Sequence, residues 1–236
     1  MIRIAATGDI HYDKNSHNRL GQHLIGIEEK ADLLLLAGDL TQTGHPDEMR
    51  ILAEDLKKCP IPTIAVFGNH DYHFNEIQIA KKILTDSGVI LLEASSVIIN
   101  IGEIKIGIAG LKGFGGGFVG ACGSEFGEEE MKAFMRHSKK EARHLEEVIK
   151  NLNTDYKIVL LHYSPIEGTL TGERKEIYPF LGNYFLAEAI DYGKASICFH
   201  GHAHSGIERG ETPGGVPVRN VAQPVIRHAF NTYTLN

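Results

Sequence analysis

Residues 33–39 read Leu33-Leu34-Leu35-Leu36-Ala37-Gly38-Asp39, and the fold can be worked out from this run. Side chains on a strand alternate between faces, so four consecutive leucines need apolar cover on both sides. That is the signature of an internal strand in a parallel sheet, not of a half-solvated one. The same grammar recurs on either side. Ile2–Thr7 is apolar and ends in Gly8-Asp9-Ile10-His11; Pro62–Phe67 is apolar and ends in Gly68-Asn69-His70-Asp71. Helical patterns lie between and after these runs: around Leu20–Lys30, from Pro46 to about Lys58, and over Glu76–Ser87 before Gly88. Pro46 suits a first helical position, where its missing N–H costs nothing. The order βαβαβα predicts a parallel sheet with crossover helices.

Val89–Ile101 and Ile104–Ala109 then read as consecutive strands joined through Asn100–Glu103. A glycine-rich loop, Gly110–Gly127, leads into a long helix over roughly Glu128–Asn151. Tyr156–His162 is a buried strand, Tyr184–Tyr192 a helix and Ser196–Phe199 a strand. From Ser205 the tail has strand-like pieces broken by Pro213, Gly214, Gly215 and Pro217. No repeat or linker interrupts the chain, so residues 1–236 are expected to form a single α/β domain.

Composition narrows the class. At 42% hydrophobic and 23% charged, the 236 residues are those of an ordinary globular protein, which excludes disorder, collagen-like repeats and coiled coil. A net charge of -6 offers no general basic surface, so nucleic acid is a possible but not a favoured partner. Cys59, Cys122 and Cys198 stand singly, which argues for a reducing compartment and against a cysteine-held zinc. With no basic-then-apolar leader and no apolar run of about 20 residues, the expected location is cytoplasmic, without a membrane contact.

The chemistry sits where the strands end. Five polar clusters follow five apolar runs, and in open α/β sheets the carboxyl ends of the strands form the ligand crevice. Taken singly these residues are unremarkable: an Asp or Asn after Gly is usually a turn residue or cap. A lone His162 is usually a hydrogen-bonded core histidine. Together Asp9, His11, Asp39, Asn69, His162, His202 and His204 are a thiolate-free donor set for a divalent ion such as Mn²⁺, Fe²⁺ or Zn²⁺. The set exceeds one ion's needs. If one carboxylate bridges, it serves two four-ligand sites, and two ions about 3.5–4 Å apart clamp both oxygens of a phosphoryl displacement.

The ordered motifs GDIH, GDL, GNHD, a lone His after an apolar strand, and GHAH resemble those of the calcineurin-like metallophosphoesterase superfamily, over residues 8–204. The resemblance implies a four-layer αββα sandwich with mixed sheets and a binuclear metal centre. It assigns Asp9, His11 and His204 to one metal, Asn69, His162 and His202 to the other, and Asp39 to both. It makes His70 a proton donor or oxyanion stabiliser that is not a ligand, paired with Asp71. The implied activity is hydrolysis of phosphate esters by metal-activated water. Because the motifs contain no Lys or Arg, with Arg174 and Lys175 the nearest candidates, phosphodiesters or small nucleotides are the expected substrates. Phosphomonoesterase or protein phosphatase activity is the alternative, although GNHD departs from the GNHE type of protein phosphatases. A non-hydrolytic protein-binding scaffold would lack a ligand or His70, and neither is missing. Oligomeric state is not legible.

Three further features are weighed against simpler readings. His200 invites a reading as a third ligand in a string resembling the H-x-H-x-D-H motif of metallo-β-lactamases. Ser205 and Gly206 stand where that motif needs Asp and His, so His200 is expected to be structural. Gly115–Gly120 matches G-x-G-x-x-G by letter but follows a late strand and opens no helix, so dinucleotide binding is not expected. A substrate-side loop is, with Phe114 and Phe118 touching a base or apolar group or else simply packing. His137 and His144 share a face of the long helix among Lys, Arg and Glu, which suits solvent.

Overall fold

The structure is a computed structural model describing residues 1–236. The first half runs β1 (Ile2–Thr7), α1 (Gly21–Leu24), β2 (Leu33–Ala37), α2 (Pro46–Leu56), β3 (Thr63–Val66), α3 (Ile77–Asp86) and β4 (Ile90–Leu91). Next come β5 (Ser95–Ile101), β6 (Ile104–Leu111), the short pair β7 (Gly117–Phe118) and β8 (Ala121–Cys122), and α4 (Glu129–Lys150). The remainder is β9 (Tyr156–Leu161), α5 (Tyr178–Leu181), α6 (Tyr184–Gly193) and β10 (Ile197–His200). It ends with β11 (Arg209–Glu211), β12 (Pro217–Asn220), α7 (Gln223–Ile226) and β13 (Asn231–Leu235).

Two mixed sheets pack face to face. One has the order β13-β1-β2-β3-β4, parallel except for β13; the other has the order β11-β12-β10-β9-β6-β5, parallel through its middle with antiparallel edges. The leucine run explains the layering. Leu33 and Leu35 enter the core between the sheets, beside Ile4, Ile64, Ile108, Leu160 and Phe199. Leu34 and Leu36 enter a second core under α2 and α3, with Leu52, Leu56 and Leu84. A third core joins Val159, Leu161 and Cys198 to α4 and α6 through Leu145, Ile149, Leu186 and Ile190. The result is helix, sheet, sheet, helix: the αββα sandwich that the motifs implied. All four leucines are fully buried, and burial of each contributes roughly 2 kcal/mol.

Two expected elements form differently. The pattern over Leu20–Lys30 gives only α1 and a 3₁₀ turn at Ile27–Glu29, because Ile25 is extended and Gly26 turns left-handed at φ 73°. Val89–Ile101 is not one strand. It breaks after Leu91 and turns at Ala94 (φ 48°), so that β4 completes the first sheet and β5 edges the second. The long helix, by contrast, starts within one residue of its expected position, with Glu129 and Glu130 in the first turn and Lys150 in the last, matching its dipole.

Candidate metal centre

The loops after β1, β2, β3, β9 and β10 converge at the carboxyl ends of both sheets and bring the seven expected donors together. Asp9, His11, Asp39 and His204 form one group whose ligand atoms lie within 4.8 Å of one another. Asp39, His162 and His202 form a second, and Asp39 is common to both. Asn69 joins the second group through Oδ1, 2.9 Å from His162 Nε2.

Four of these residues have left-handed backbone: Asp9 (φ 53°), His11 (φ 42°), Asp39 (φ 46°) and His202 (φ 70°). Such conformations are disfavoured for residues with a Cβ and persist where the surroundings over-determine them, most often at functional sites. The glycines that precede the donors act in two ways. Gly38 (φ 80°) does turn, but Gly68 and Gly201 serve by lacking a side chain. A Cβ on Gly68 would lie 2.1 Å from Asp39 Oδ1, and one on Gly201 2.3 Å from Asp9 Oδ2.

The donor set fits cations. Both ring nitrogens of His11 are buried without any hydrogen-bond partner, an arrangement that is costly unless something else takes a lone pair. His162 Nδ1 lies 2.9 Å from the Ala37 carbonyl, which can only accept. Nδ1 therefore carries the proton, and the Nε2 lone pair faces Asp39 Oδ1 at 3.3 Å. His202 Nε2 likewise donates to the Phe180 carbonyl at 3.2 Å, leaving Nδ1 as its lone-pair nitrogen. Lone pairs facing a carboxylate call for a positive charge between them.

Titration follows burial. Burial pushes the Asp9 carboxyl up to about 6, opposed by its 2.9 Å bond from His204 Nε2 and raised further by the Asp39 charge. The same Asp9 bond raises His204. Burial lowers His11 to about 4 and His202 to about 3, and holds His162 well below the usual imidazole range, so these three imidazoles are neutral at pH 7.

His70 lies beside the cluster. Its ring is edge-on to His11 at 4.6 Å, its Nδ1 donates to the Gln42 carbonyl at 2.8 Å, and its Nε2 is 3.9 Å from Asp39 Oδ2. The expected pairing of His70 with Asp71 does not occur. Asp71 points the other way, fully buried, and accepts from the N–H groups of Leu40, Thr41 and Gly68 at 3.2, 2.9 and 2.8 Å, and from Thr41 Oγ1 at 2.7 Å. Adjacent residues of a 3₁₀ turn do not share a face, so Asp71 ties the β2 loop to the β3 loop.

Other expectations resolve as follows. His200 is structural: Nδ1 bonds the Gly201 carbonyl at 2.7 Å and Nε2 contacts Thr169 Oγ1 at 2.8 Å. Phe118 is buried against Leu170 and Tyr178, so of the two loop phenylalanines it is the one that packs. Phe114 instead faces Tyr163 (6.1 Å) and His137 (4.5 Å), which gives His137 an aromatic neighbour on its exposed face. Arg174 is exposed and only loosely paired with Glu176 at 3.9 Å; Lys175 is exposed too. Sequence reasoning missed Lys112, which follows β6. Its ammonium lies over the rings of Tyr163, Phe114 and Tyr72 at 5.0, 5.3 and 5.5 Å and pairs with no carboxylate. Its charge helps hold His162 low. The signal was its place at the end of a strand neighbouring β9, which is visible only once the sheet order is known.

Residues 2–206 match the calcineurin-like phosphoesterase family. No curated protein sequence matches. Among solved structures, the fold is similar to phosphopantetheinyl hydrolase from Mycobacterium tuberculosis (TM-score 0.68, 14% identity, 99% of this chain and 96% of that one). It is also similar to TT1561 of Thermus thermophilus (TM-score 0.61, 16% identity, 100% and 99%). A third similarity is to a putative 5'-nucleotidase from Staphylococcus aureus (TM-score 0.58, 14% identity, 93% and 48%). At these identities the likeness is one of fold. No helix of the structure is long and apolar enough to cross a membrane.

Proposed function

The chain belongs to the calcineurin-like phosphoesterase family, and we propose on that premise that it hydrolyses phosphate esters at a pair of divalent cations. Asp9, His11 and His204 would hold one cation, Asn69, His162 and His202 the other, and Asp39 both. The observation that carries this reading is the unpartnered, buried imidazole of His11, next to donor groups that share Asp39. When bound, two such cations neutralise the substrate phosphate and lower the pKa of a water molecule enough to make it a nucleophile near neutral pH.

The chain's own groups do the rest. His162 and His202, kept neutral by burial and fixed by the Ala37 and Phe180 carbonyls, present lone pairs without waiting for deprotonation. His70, with Nδ1 anchored on Gln42, turns Nε2 toward the cluster, where in its protonated form it can donate to the departing oxygen. The donor cluster contains no Lys or Arg, and Lys112 beside it is engaged with the Tyr163, Phe114 and Tyr72 rings and the Gly113 carbonyl. That absence supports phosphodiesters or small nucleotides over dianionic monoesters, which need more cationic contacts on their free oxygens. The fold is read as a single domain over residues 1–236, working on small or flexible esters.

The test is reconstitution. Chelator-stripped protein, reloaded separately with Mn²⁺, Fe²⁺ or Zn²⁺, should bind two ions per chain. It should then hydrolyse bis(p-nitrophenyl) phosphate at least as well as p-nitrophenyl phosphate. One ion per chain would refute the binuclear assignment. A monoester advantage of tenfold or more in kcat/KM would refute the diester preference.

A further inference from the structure

Beside the metal centre is an apolar cavity that none of the chemistry above uses. It has a volume of about 830 Å³, within the range of small-molecule sites. Glu130, Met131 and Phe134 of α4 form one wall and Pro179 and Phe180 of α5 another; residues 120–123 close the third. That third wall lacks bulk for a stated reason: Gly123 is pressed so close to Met135 that a Cβ would lie 2.6 Å from its Sδ. Phe180 is 62% exposed and Met131 44%, so apolar surface is left open to water here.

The cavity and the donor cluster share a residue. Phe180 lines the cavity and accepts from His202 Nε2 with its carbonyl at 3.2 Å. A continuous aromatic path joins the two: His202 to Tyr163 (4.5 Å), Tyr163 to Phe114 (6.1 Å), Phe114 to Phe134 (5.1 Å) and Phe134 to Phe180 (6.4 Å). We propose that this cavity is the subsite for an apolar organic group esterified to the phosphate cleaved at the metal centre, so that the substrates are phosphate esters of a bulky alkyl or aryl alcohol. The proposal rests on the phosphoesterase reading above. It adds that recognition comes from the apolar half of the ester and is directed along the α4–α5 side.

Two phosphonates test it without turnover. Methylphosphonate and hexylphosphonate are titrated calorimetrically into the Mn²⁺-loaded wild type and into Met131→Glu. Met131 sits in the first turn of α4, where an added carboxylate suits the helix dipole, so the variant is expected to fold. Each buried methylene is worth roughly fourfold, and the cavity is open on one side. Hexylphosphonate should therefore bind the wild type about tenfold or more tighter than methylphosphonate, and the advantage should fall below about threefold in Met131→Glu. Equal affinities in the wild type, or an advantage that survives Met131→Glu, would overturn the assignment. If both phosphonates bind equally while esters are still hydrolysed, only the cavity assignment falls. If neither binds and no ester is hydrolysed, the phosphoesterase reading falls and this proposal with it.

Discussion

Asp71→Ala separates two accounts of adjacent residues. A side chain that orients His70 would, when removed, cost activity and leave the fold intact. The structure gives Asp71 a different task, since its carboxylate accepts from three backbone N–H groups and one hydroxyl in a fully buried position. Each buried group left without a partner costs roughly 1–3 kcal/mol, so four come to roughly 4–12 kcal/mol before water enters the hole. Against this stands relief of a buried charge. Burial and the Asp39 charge push the Asp71 carboxyl up to about 7 from 3.8, which is roughly 4 kcal/mol of destabilisation at pH 8. The net expectation is a loss of about 3 kcal/mol in urea unfolding of the metal-free protein.

The pH dependence has a definite sign. A carboxyl whose folded pKa is raised destabilises the fold increasingly as pH rises from its unfolded pKa through its folded one. Wild type, which alone carries this group, should lose roughly 1 kcal/mol more than Asp71→Ala between pH 6 and pH 8, so the gap narrows. Activity should fall through metal content and recover in excess Mn²⁺. In a double-mutant cycle with His70→Ala, coupling in kcat/KM should stay under about 0.5 kcal/mol. A stability loss below about 1 kcal/mol, accompanied by a hundredfold drop in kcat/KM that excess Mn²⁺ does not repair, would refute this reasoning and restore the paired arrangement.

Three further outcomes are expected. Asp39→Asn should lower total metal content and hydrolysis together, as elemental analysis beside the rate would show; two tightly held ions and near-normal turnover would count against bridging. His70→Ala should keep both metals while hydrolysis falls by roughly 10²–10⁴-fold, the usual scale of acid–base help; loss of an ion would make His70 a ligand instead. Metal binding should release about one proton per chain at pH 6, where Asp9 (about 6) is half protonated and the raised His204 holds most of its own, and fewer at pH 9. Calorimetry in buffers of different ionisation enthalpy measures this, and equal release at both pH values would contradict it.

The grouping of the donor side chains was legible in the sequence because each polar cluster follows an apolar run, so strand end and donor position are one signal. The four leucines needed cover on both faces, and they have it. What escaped was whatever depends on orientation within a turn or on neighbours from another strand. His70 and Asp71 are adjacent in sequence yet face opposite ways, and no spacing rule tells that a 3₁₀ turn separates them. Lys112 belongs to no motif and reaches the aromatic wall only because β6 lies next to β9. The break between β4 and β5 falls at the polar interruption Glu93-Ala94-Ser95-Ser96, which was read as part of one strand because apolar runs flank it on both sides, and neither run says which sheet it joins.

The donors also divide by sheet, and this links the site to the fold. Asp9, His11, Asp39 and Asn69 follow strands of the first sheet; His162, His202 and His204 follow strands of the second. Contacts already cross that boundary without any ion: His162 Nδ1 to the Ala37 carbonyl, the His202 N–H to both Asp9 oxygens at 3.1 and 2.8 Å, and His204 Nε2 to Asp9 Oδ1. A cation held by this set therefore bonds one sheet to the other at its carboxyl edge. The left-handed turns at Asp9, His11, Asp39 and His202 store strain at that same edge, and the hydrogen bonds and packing across the sandwich hold them in place before any metal arrives. The apolar core between the sheets therefore does more than stabilise the fold. By fixing how the two sheets register, it sets the distances among donors that lie almost 200 residues apart in sequence.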